Sequence, residues 1–527
     1  MTPNRDVEAA RRYHERTRHT PRSVRESGHA LDWDNKPSPF KIYPELPTVR
    51  LPRELPTLSA DTFAALSRSA PDAPSSAVDL DRLAALLYFS AGVTKAVTYA
   101  GGGRIYFRAA PSTGALYQTE VYVVAGAVEG LASGVYHFGP GDFALRRLRE
   151  GDFRGAVAAA AADEEIAARP AIIALTGLYW RNTWKYQARG YRHLFWDAGT
   201  MLANALASAA ALGVAARAVV GFADDAVNAL LGIDPEEEGA LVLIAAGAAS
   251  DPPPPPPAVH VIAPAVVPLS PSAVRYPLVV DAYADSRLAS EAEVLDWRDG
   301  AAALAGNAPS APAPTARPAL APLPPPLMAG GRGLGETIQA RGSTRQFSGA
   351  AIDSGALSNA LYHATRGAAA DVPPGLIDLY LAVHAVDGIA PGAYAYHPTP
   401  HALEVIRGGD VRAAAAFLCL DQALGGTSSA TVFFLADLGR LLGALGNRGY
   451  RAGNLEAGLV GGRLYLAAYA QRFGATGLTF YDDDVVEFFS PHAAGKAALF
   501  VTAIGRSAQS AQTGPSAPLA PSAARST

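Results

Sequence analysis

One cysteine, Cys419, stands alone in 527 residues. That excludes an intramolecular disulfide framework and any cysteine-ligated zinc or iron–sulfur centre, each of which needs several thiolates. Lysine is nearly as scarce, with five residues (36, 41, 95, 185 and 496) among 44 basic side chains. Charged residues make up only 17% of the chain, against a usual ~25%. The balance is 44 − 48 = −4, so no global field favours nucleic acid or an anionic surface. No apolar run opens the chain either: Met1 to Thr20 is polar and charged, without the core of a secretory signal. The best membrane candidate, Phe195 to Val214, is mostly alanine and carries Asp197 and Asn204. A carboxylate inside a membrane is costly, and the segment reads as a buried helix. The expectation is a soluble, cytoplasmic protein.

What is abundant is apolar and small. Hydrophobic residues reach 49%, enough for sizeable cores, and the length allows two to four domains at ~150 residues each. Low-complexity stretches divide the chain. Pro252 to Pro257 is an unbroken proline run and Ala301 to Pro326 is almost wholly Ala, Pro, Leu and small polar residues; both are expected to be extended and solvated. Tyr276 to Trp297 between them is more ordinary and is expected to pack on a neighbouring domain. The tail from Ser507 is Ala, Ser, Pro and Thr-rich, a composition of disorder.

The linker joins the same thing twice. Gly134-Val135-Tyr136-His137-Phe138 is echoed by Gly392-Ala393-Tyr394-Ala395-Tyr396, an offset of 392 − 134 = 258. Gly151-Asp152-Phe153-Arg154 returns as Gly409-Asp410-Val411-Arg412 at the same offset, and Arg189-Gly190-Tyr191-Arg192 as Arg448-Gly449-Tyr450-Arg451 at 448 − 189 = 259. A period this long marks a duplicated domain, since solenoid repeats run ~20–50 residues. Each half reads helix (Ala77 to Ser90; Ser354 to Thr365), strand (Thr119 to Ala125; Asp378 to Val386), hairpin-like Gly/Tyr segment, strand (Ala171 to Thr176; Thr431 to Leu435), long small-residue helix, strand (Ala240 to Ala246; Ala497 to Ile504). Two α+β domains facing each other through the long helices would form a dimer-like unit within one chain.

Three segments carry residue types suited to chemistry. Arg341-Gly342-Ser343-Thr344-Arg345 places two guanidinium groups and a hydroxyl at alternate positions of an extended segment, a set suited to a terminal phosphate; the plainer alternative is a solvated basic loop. Arg108-Ala109-Ala110-Pro111-Ser112-Thr113-Gly114-Ala115-Leu116-Tyr117 forms a tight turn that could offer backbone donors to a ring edge or anion, or simply lead into a strand. Lys185-Tyr186 pairs one of the few lysines with a phenol whose pKa of ~10 a neighbouring cation could lower, giving a general base; a snorkelling lysine on an aromatic surface is the alternative. His14, His19 and His29 lack metal-ligand spacing, so no metal site is expected. Asp482-Asp483-Asp484 reads as a solvated turn or a helix start.

These residues resemble the FMN-dependent nitroreductase fold, and the tandem form resembles the SagB/cyanobactin-oxidase type of azoline dehydrogenase. Arg341 to Arg345 looks like that fold's Arg-x-Ser-x-Arg phosphate motif. Pro111-Ser112-Thr113-Gly114-Ala115-Leu116-Tyr117 looks like its flavin turn, and Lys185-Tyr186 matches the family's catalytic pair. The N-terminal Tyr13-His14-Glu15 to Tyr43-Pro44, with Leu31-Asp32-Trp33, looks like the family's leader-side segment. The resemblance implies two tandem nitroreductase-like α+β domains: an N-terminal segment (1–56), domain 1 (57–250), a linker with an ordered stretch (251–330), domain 2 (331–506) and a tail (507–527). It further implies one bound FMN, with Arg341, Ser343, Arg345 and Arg506 at the phosphate and Arg108, Pro111, Ser112, Thr113, Gly114 and Leu116 at the ring. Thr479 and Phe480 would lie near the flavin edge.

The halves lack complementary pieces. The first has Ser67-Arg68-Ser69-Ala70-Pro71 where the phosphate motif belongs and ends its last strand in Gly247-Ala248-Ala249-Ser250, without a base. The second ends in Gly505-Arg506 but reads Val372-Pro373-Pro374-Gly375 for the turn and Ala444-Leu445 for the Lys-Tyr pair. One composite flavin site per chain is therefore expected, with its phosphate held by the second half and its ring faced by the first. The implied reaction is oxidation of thiazoline or oxazoline rings in a peptide or carrier-bound substrate, Tyr186 taking the ring α-proton with Lys185 activating it, alongside a possible cyclodehydratase partner. An NAD(P)H-dependent nitroreductase or flavin reductase, and a non-catalytic docking scaffold, are the competing readings. An internal pseudo-dimer allows a monomer or a homodimer of such chains.

Overall fold

The apolar runs pair into two seven-stranded, wholly antiparallel sheets with the same strand order. The computed structural model describes residues 2–67, 76–98, 104–249, 252–306 and 320–508. In the first sheet the order is Thr48–Arg50, Ala144–Glu150, Gly134–Gly139, Thr119–Ala125, Ala171–Leu178, Glu238–Ala246, Ala216–Val219. The second follows suit with Leu320–Pro322, Ala402–Gly408, Gly392–His397, Asp378–Val383, Ala430–Ala436, Ala497–Gly505, Gly474–Gly477. Middle strands such as Thr119–Ala125 and Ala430–Ala436 are buried along their whole length, which explains their unbroken aliphatic character. Ala144–Glu150 and Ala402–Gly408, interrupted by charged residues and nearer the edge, have no such run and escape a search for apolar strands.

Between the sheets lie two long helices, Gly190–Ala211 and Arg448–Ala470, each buried on nearly every face. Their small residues let the backbones touch. A Cβ on Gly199 would come 2.4 Å from the Leu455 carbonyl, and one on Gly458 2.3 Å from the Trp196 carbonyl. Trp196 Nε1 donates to Asn454 Oδ1 at 2.8 Å across the same seam. Phe195 to Val214, the candidate span, is thus mostly this central helix, and among the described residues no helix is long and apolar enough to cross a membrane.

The halves also exchange buried ion pairs. Asp482, which opens the helix Asp482–Phe488, accepts from Arg189 Nη1 at 2.8 Å and Arg192 Nη1 at 2.5 Å. Asp224 accepts from Arg448 Nη1 at 2.5 Å and Arg451 Nη1 at 2.7 Å. The two aspartates are 482 − 224 = 258 apart, so each half clamps the repeated Arg-Gly-Tyr-Arg of the other. Asp482 is a helix start, as expected, but buried rather than solvated, because two guanidinium groups neutralise it. The N-terminal segment binds across both halves: Ala10 N–H donates to Asn447 Oδ1 at 2.9 Å, and Tyr13 Oη to the Ala188 carbonyl at 2.7 Å.

Linker expectations hold in part. Pro252–Pro257 has no regular structure and is largely exposed, and Pro277–Asp285 and Glu291–Gly306 are helices that bury Tyr283 and Trp297. Ala301 to Pro326 is not extended throughout. Residues 301–306 finish a helix, as their alanines favour, and Leu320–Pro322 pairs with Ala402, Leu403 and Glu404, at a sheet edge where proline is tolerated. Arg68, Ser69, Ala70, Pro71 and Ser250, and the tail from residue 509, lie outside the described residues.

Candidate functional site

The turn after Arg108 is held by one buried carboxylate. Asp197, on the first central helix, accepts from Ser112 Oγ at 2.5 Å, from the Thr113 N–H at 2.9 Å, from Thr113 Oγ1 at 2.8 Å and from Gln118 Nε2 at 2.6 Å. Burial raises its pKa to about 6, against the lowering pull of those hydrogen bonds. Thr200 Oγ1 adds a bond to the Pro111 carbonyl at 2.9 Å. Within this turn Gly114, Ala115 and Tyr117 have φ of 66°, 54° and 55°, a cluster of left-handed residues that only surrounding structure can impose.

Gly114 brings the turn against the Lys-Tyr pair. A Cβ there would lie 2.8 Å from Tyr186 Oη, so only glycine permits the approach. Tyr186 ends the helix Tyr179–Tyr186 and meets His193 edge-on at 4.6 Å. Lys185 Nζ sits 5.3 Å from the Tyr186 ring centroid. The expected activation of the phenol runs the other way. Burial first, then the charge of Asp197, pushes Tyr186 well above the ordinary phenol range, and Arg345 only partly opposes this. Lys185 moves down instead, through burial and the charges of Lys36 and Arg345.

The second half reaches into this place. Arg341 Nε donates to the Ala109 carbonyl at 2.7 Å and Nη2 to the Arg108 carbonyl at 2.8 Å, immediately before the turn. Ser343 Oγ lies 3.4 Å from Tyr465 Oη, and Arg345 is exposed, with its charge felt at both Lys185 and Tyr186. Arg506 follows the strand Ala497–Gly505; its Nε donates to the Ala351 carbonyl at 2.8 Å, and its own carbonyl accepts from the Ser348 N–H. Among the described residues Arg341, Arg345 and Arg506 have no carboxylate within 4.0 Å. Guanidinium groups without a carboxylate partner, with the Ser343 hydroxyl in the same segment, are the residue types that suit a phosphate.

Not every expected ligand residue faces this space. Arg108 is sealed in: its Nη2 donates to the Pro39 carbonyl at 2.5 Å and its guanidinium stacks 5.0 Å from the Tyr117 ring, so it braces the turn from behind. Phe480 is fully buried between the Arg189 guanidinium (5.0 Å) and Trp196 (6.1 Å), because it fills the seam between the halves. Leu116 is also buried, and Thr479 Oγ1 accepts from Gln422 Nε2 at 3.0 Å.

Two polar residues of the central helix escaped the motif reading. Asp197 stands out only as a lone acid in an alanine-rich helix. His193 is buried and held neutral by desolvation, with Nδ1 2.8 Å from Asn182 Oδ1 and Nε2 without a partner. The N-terminal segment also reaches the site: His29 Nε2 lies 3.1 Å from the Trp184 carbonyl, Trp184 Nε1 donates to the Asp32 carbonyl at 2.9 Å, and Trp33 packs edge-on to Trp184 while remaining 65% exposed.

Comparison with known proteins agrees with this architecture. The family model described as "Nitroreductase family" matches residues 73–248. Over 167 residues the chain is 29% identical to MJ1384 of Methanocaldococcus jannaschii, provisionally named a nitroreductase, spanning 32% of this chain and 80% of that one. A solved structure from Anabaena variabilis, also provisionally named a nitroreductase, superposes with a TM-score of 0.76 at 28% identity, over 95% of this chain and 99% of the other. Residues 73–248 are thus similar to the nitroreductase family, and the chain has the nitroreductase fold, built in tandem from two sheets.

Proposed function

We propose that this chain is an FMN-dependent oxidoreductase with one composite flavin site, oxidising thiazoline or oxazoline rings to thiazoles or oxazoles in a peptide or carrier-bound intermediate of natural-product biosynthesis. The observation that carries the reading is the contact of Arg341, from the second half, with the Arg108 and Ala109 carbonyls in the first. It brings the Arg341–Arg345 segment of one half against the start of the turn in the other, which supports a site completed by pieces that each half lacks alone. Arg341, Ser343, Arg345 and Arg506 would hold the phosphate, and the Pro111–Leu116 turn would face the ring with backbone donors. FMN, when bound, supplies the two-electron acceptor that azoline oxidation requires.

The protein's own task is then to remove a proton from the ring carbon. Lys185, its pKa lowered by burial and by Lys36 and Arg345, would take that proton at Nζ. Tyr186, kept protonated by burial and Asp197, donates a hydrogen bond from Oη and fixes the ring's approach. Exposed Trp33 and the Asp32–Trp184 contact support a role for the N-terminal segment in gripping a peptide beside the Lys-Tyr pair. A cytoplasmic setting and a cyclodehydratase that makes the azoline complete the proposal.

The test is turnover of a thiazoline-containing peptide, read by mass as loss of two hydrogens per ring. Lys185→Ala is expected to slow it by roughly 10²–10⁴-fold with flavin absorbance unchanged, and Tyr186→Phe to slow it less. Full turnover by the Lys185 variant would overturn the assignment. Rapid NAD(P)H-dependent nitroarene reduction without azoline oxidation would favour the reductase.

A further inference from the structure

The second half carries a polar cluster that its counterpart lacks. His397 ends the strand Gly392–His397, and Glu404 lies on the adjacent Ala402–Gly408. Their register pairs His397 with Ala402 and Ala395 with Glu404. Residues two apart on a strand share a face, so His397 and Glu404 project from the same side. Tyr380 pairs with Ala395 on the next strand, so Tyr380, Ala395 and Glu404 form one row, with a small residue in the middle. His492 enters over this row from the turn after Asp482–Phe488.

The ligand-type atoms converge. His397 Nε2 lies 2.8 Å from Glu404 Oε2 and His492 Nε2 lies 3.5 Å from the same oxygen. One such atom from each residue falls within 4.8 Å of the other two. We propose that His397, Glu404 and His492 form a binding site for a divalent transition-metal ion of the zinc type. Metal–ligand bonds of about 2.0–2.1 Å in a tetrahedron place ligand atoms about 3.3 Å apart, within the range already spanned here. Two imidazoles and a carboxylate with a fourth position open to water are a donor set that such ions take. The side chains are 35%, 17% and 32% exposed, so an ion can enter.

The surroundings are arranged as a metal site needs. Tyr380 Oη lies 2.9 Å from His492 Nδ1; with Nδ1–H donating to that oxygen, Nε2 is left for the ion and the ring is oriented, as outer partners of ligand histidines do. The nearby cation Lys496 is paired with Asp378 at 2.7 Å. The repeat offset of 258 puts Gly139, Arg146 and Asp234 at the equivalent positions of the first half, so the fold itself does not require the cluster. Sequence spacing hides it, since the histidines are 492 − 397 = 95 residues apart.

Chelator-treated full-length protein titrated with zinc chloride at neutral pH, followed by calorimetry, tests the proposal. One equivalent bound in the micromolar range or tighter is expected, weakened roughly tenfold or more by Tyr380→Phe and lost in His397→Ala and in Glu404→Gln. Cobalt(II) absorption of low-coordinate type should appear in the unaltered protein and vanish in the same variants. Flavin content should not change in any of them. Zinc binding that is absent, or as tight in the His397→Ala and Glu404→Gln variants as in the parent, would overturn it.

Discussion

Gln187 has φ 50° and ψ −144°, a region open mainly to glycine, directly after the Lys-Tyr pair. The equivalent position of the other half, 187 + 259 = 446, is Gly446 with φ 65° and ψ −159°. The same backbone bend is thus relaxed where the pair is absent and strained where it is present. Gln187→Gly should stabilise the protein by roughly 1 kcal/mol, the strain relieved less glycine's entropy cost; chemical denaturation reading a loss of stability would contradict this. A second residue pair obeys the same offset, 456 − 197 = 259. Glu456 accepts from the Gly375 and Leu376 N–H groups at 2.7 and 2.6 Å, as Asp197 does from its turn. Burial raises Glu456 from 4.5 to about 7. A raised folded pKa means the folded state holds the proton more tightly, so this group favours folding fully below its unfolded pKa and loses that contribution as pH rises through the folded one. Between about pH 4.5 and 7, Glu456→Gln should therefore gain on the parent by roughly 1–3 kcal/mol, read as the change in their stability difference. A difference that moves the other way would show the carboxylate to be ionised at little cost.

At the scale of elements, the seam between the central helices rests on Gly199 and Gly458, which are also 259 apart. Each lets a partner backbone approach to a distance no side chain allows. Gly458→Ala must push Trp196 and its helix away, and should cost about 1–3 kcal/mol with unfolding still cooperative; unchanged stability would mean the seam opens freely. Much of this level could be read before the structure. Middle strands announced themselves as aliphatic runs and the duplication by the hairpin and Arg-Gly-Tyr-Arg echoes; the helices expected at Ala77 to Ser90 and Ser354 to Thr365 lie at Leu80–Ala91 and Ser354–Thr365. Edge strands did not, since Thr48–Arg50 and Leu320–Pro322 are short and solvent-facing. The motifs for the candidate site were legible as local strings. The carboxylate that holds the turn was not, because Asp197 acts on residues far along the chain and leaves no local pattern, as Glu456 and Asp224 do with their own partners.

For the whole molecule, the reciprocal Asp–Arg clamps tie the two halves together across an interface with the pseudo-symmetry of a dimer. Each aspartate neutralises two buried guanidinium groups that have no other carboxylate partner among the described residues. Asp482→Ala should cost roughly 3–5 kcal/mol, and equal stability of the variant by denaturant unfolding would argue against a load shared across the seam. Symmetry at the interface is what permits asymmetry at the sites. In the proposed reading, duplication offers two places for a flavin, and the pieces retained by each half would complete only one. The most direct measurement is therefore the flavin-to-chain ratio of the purified protein, from visible absorbance before and after denaturation. The account predicts one FMN per chain, lost on replacing Arg341 and Ser343 together. Two per chain, or none after reconstitution with FMN, would contradict it.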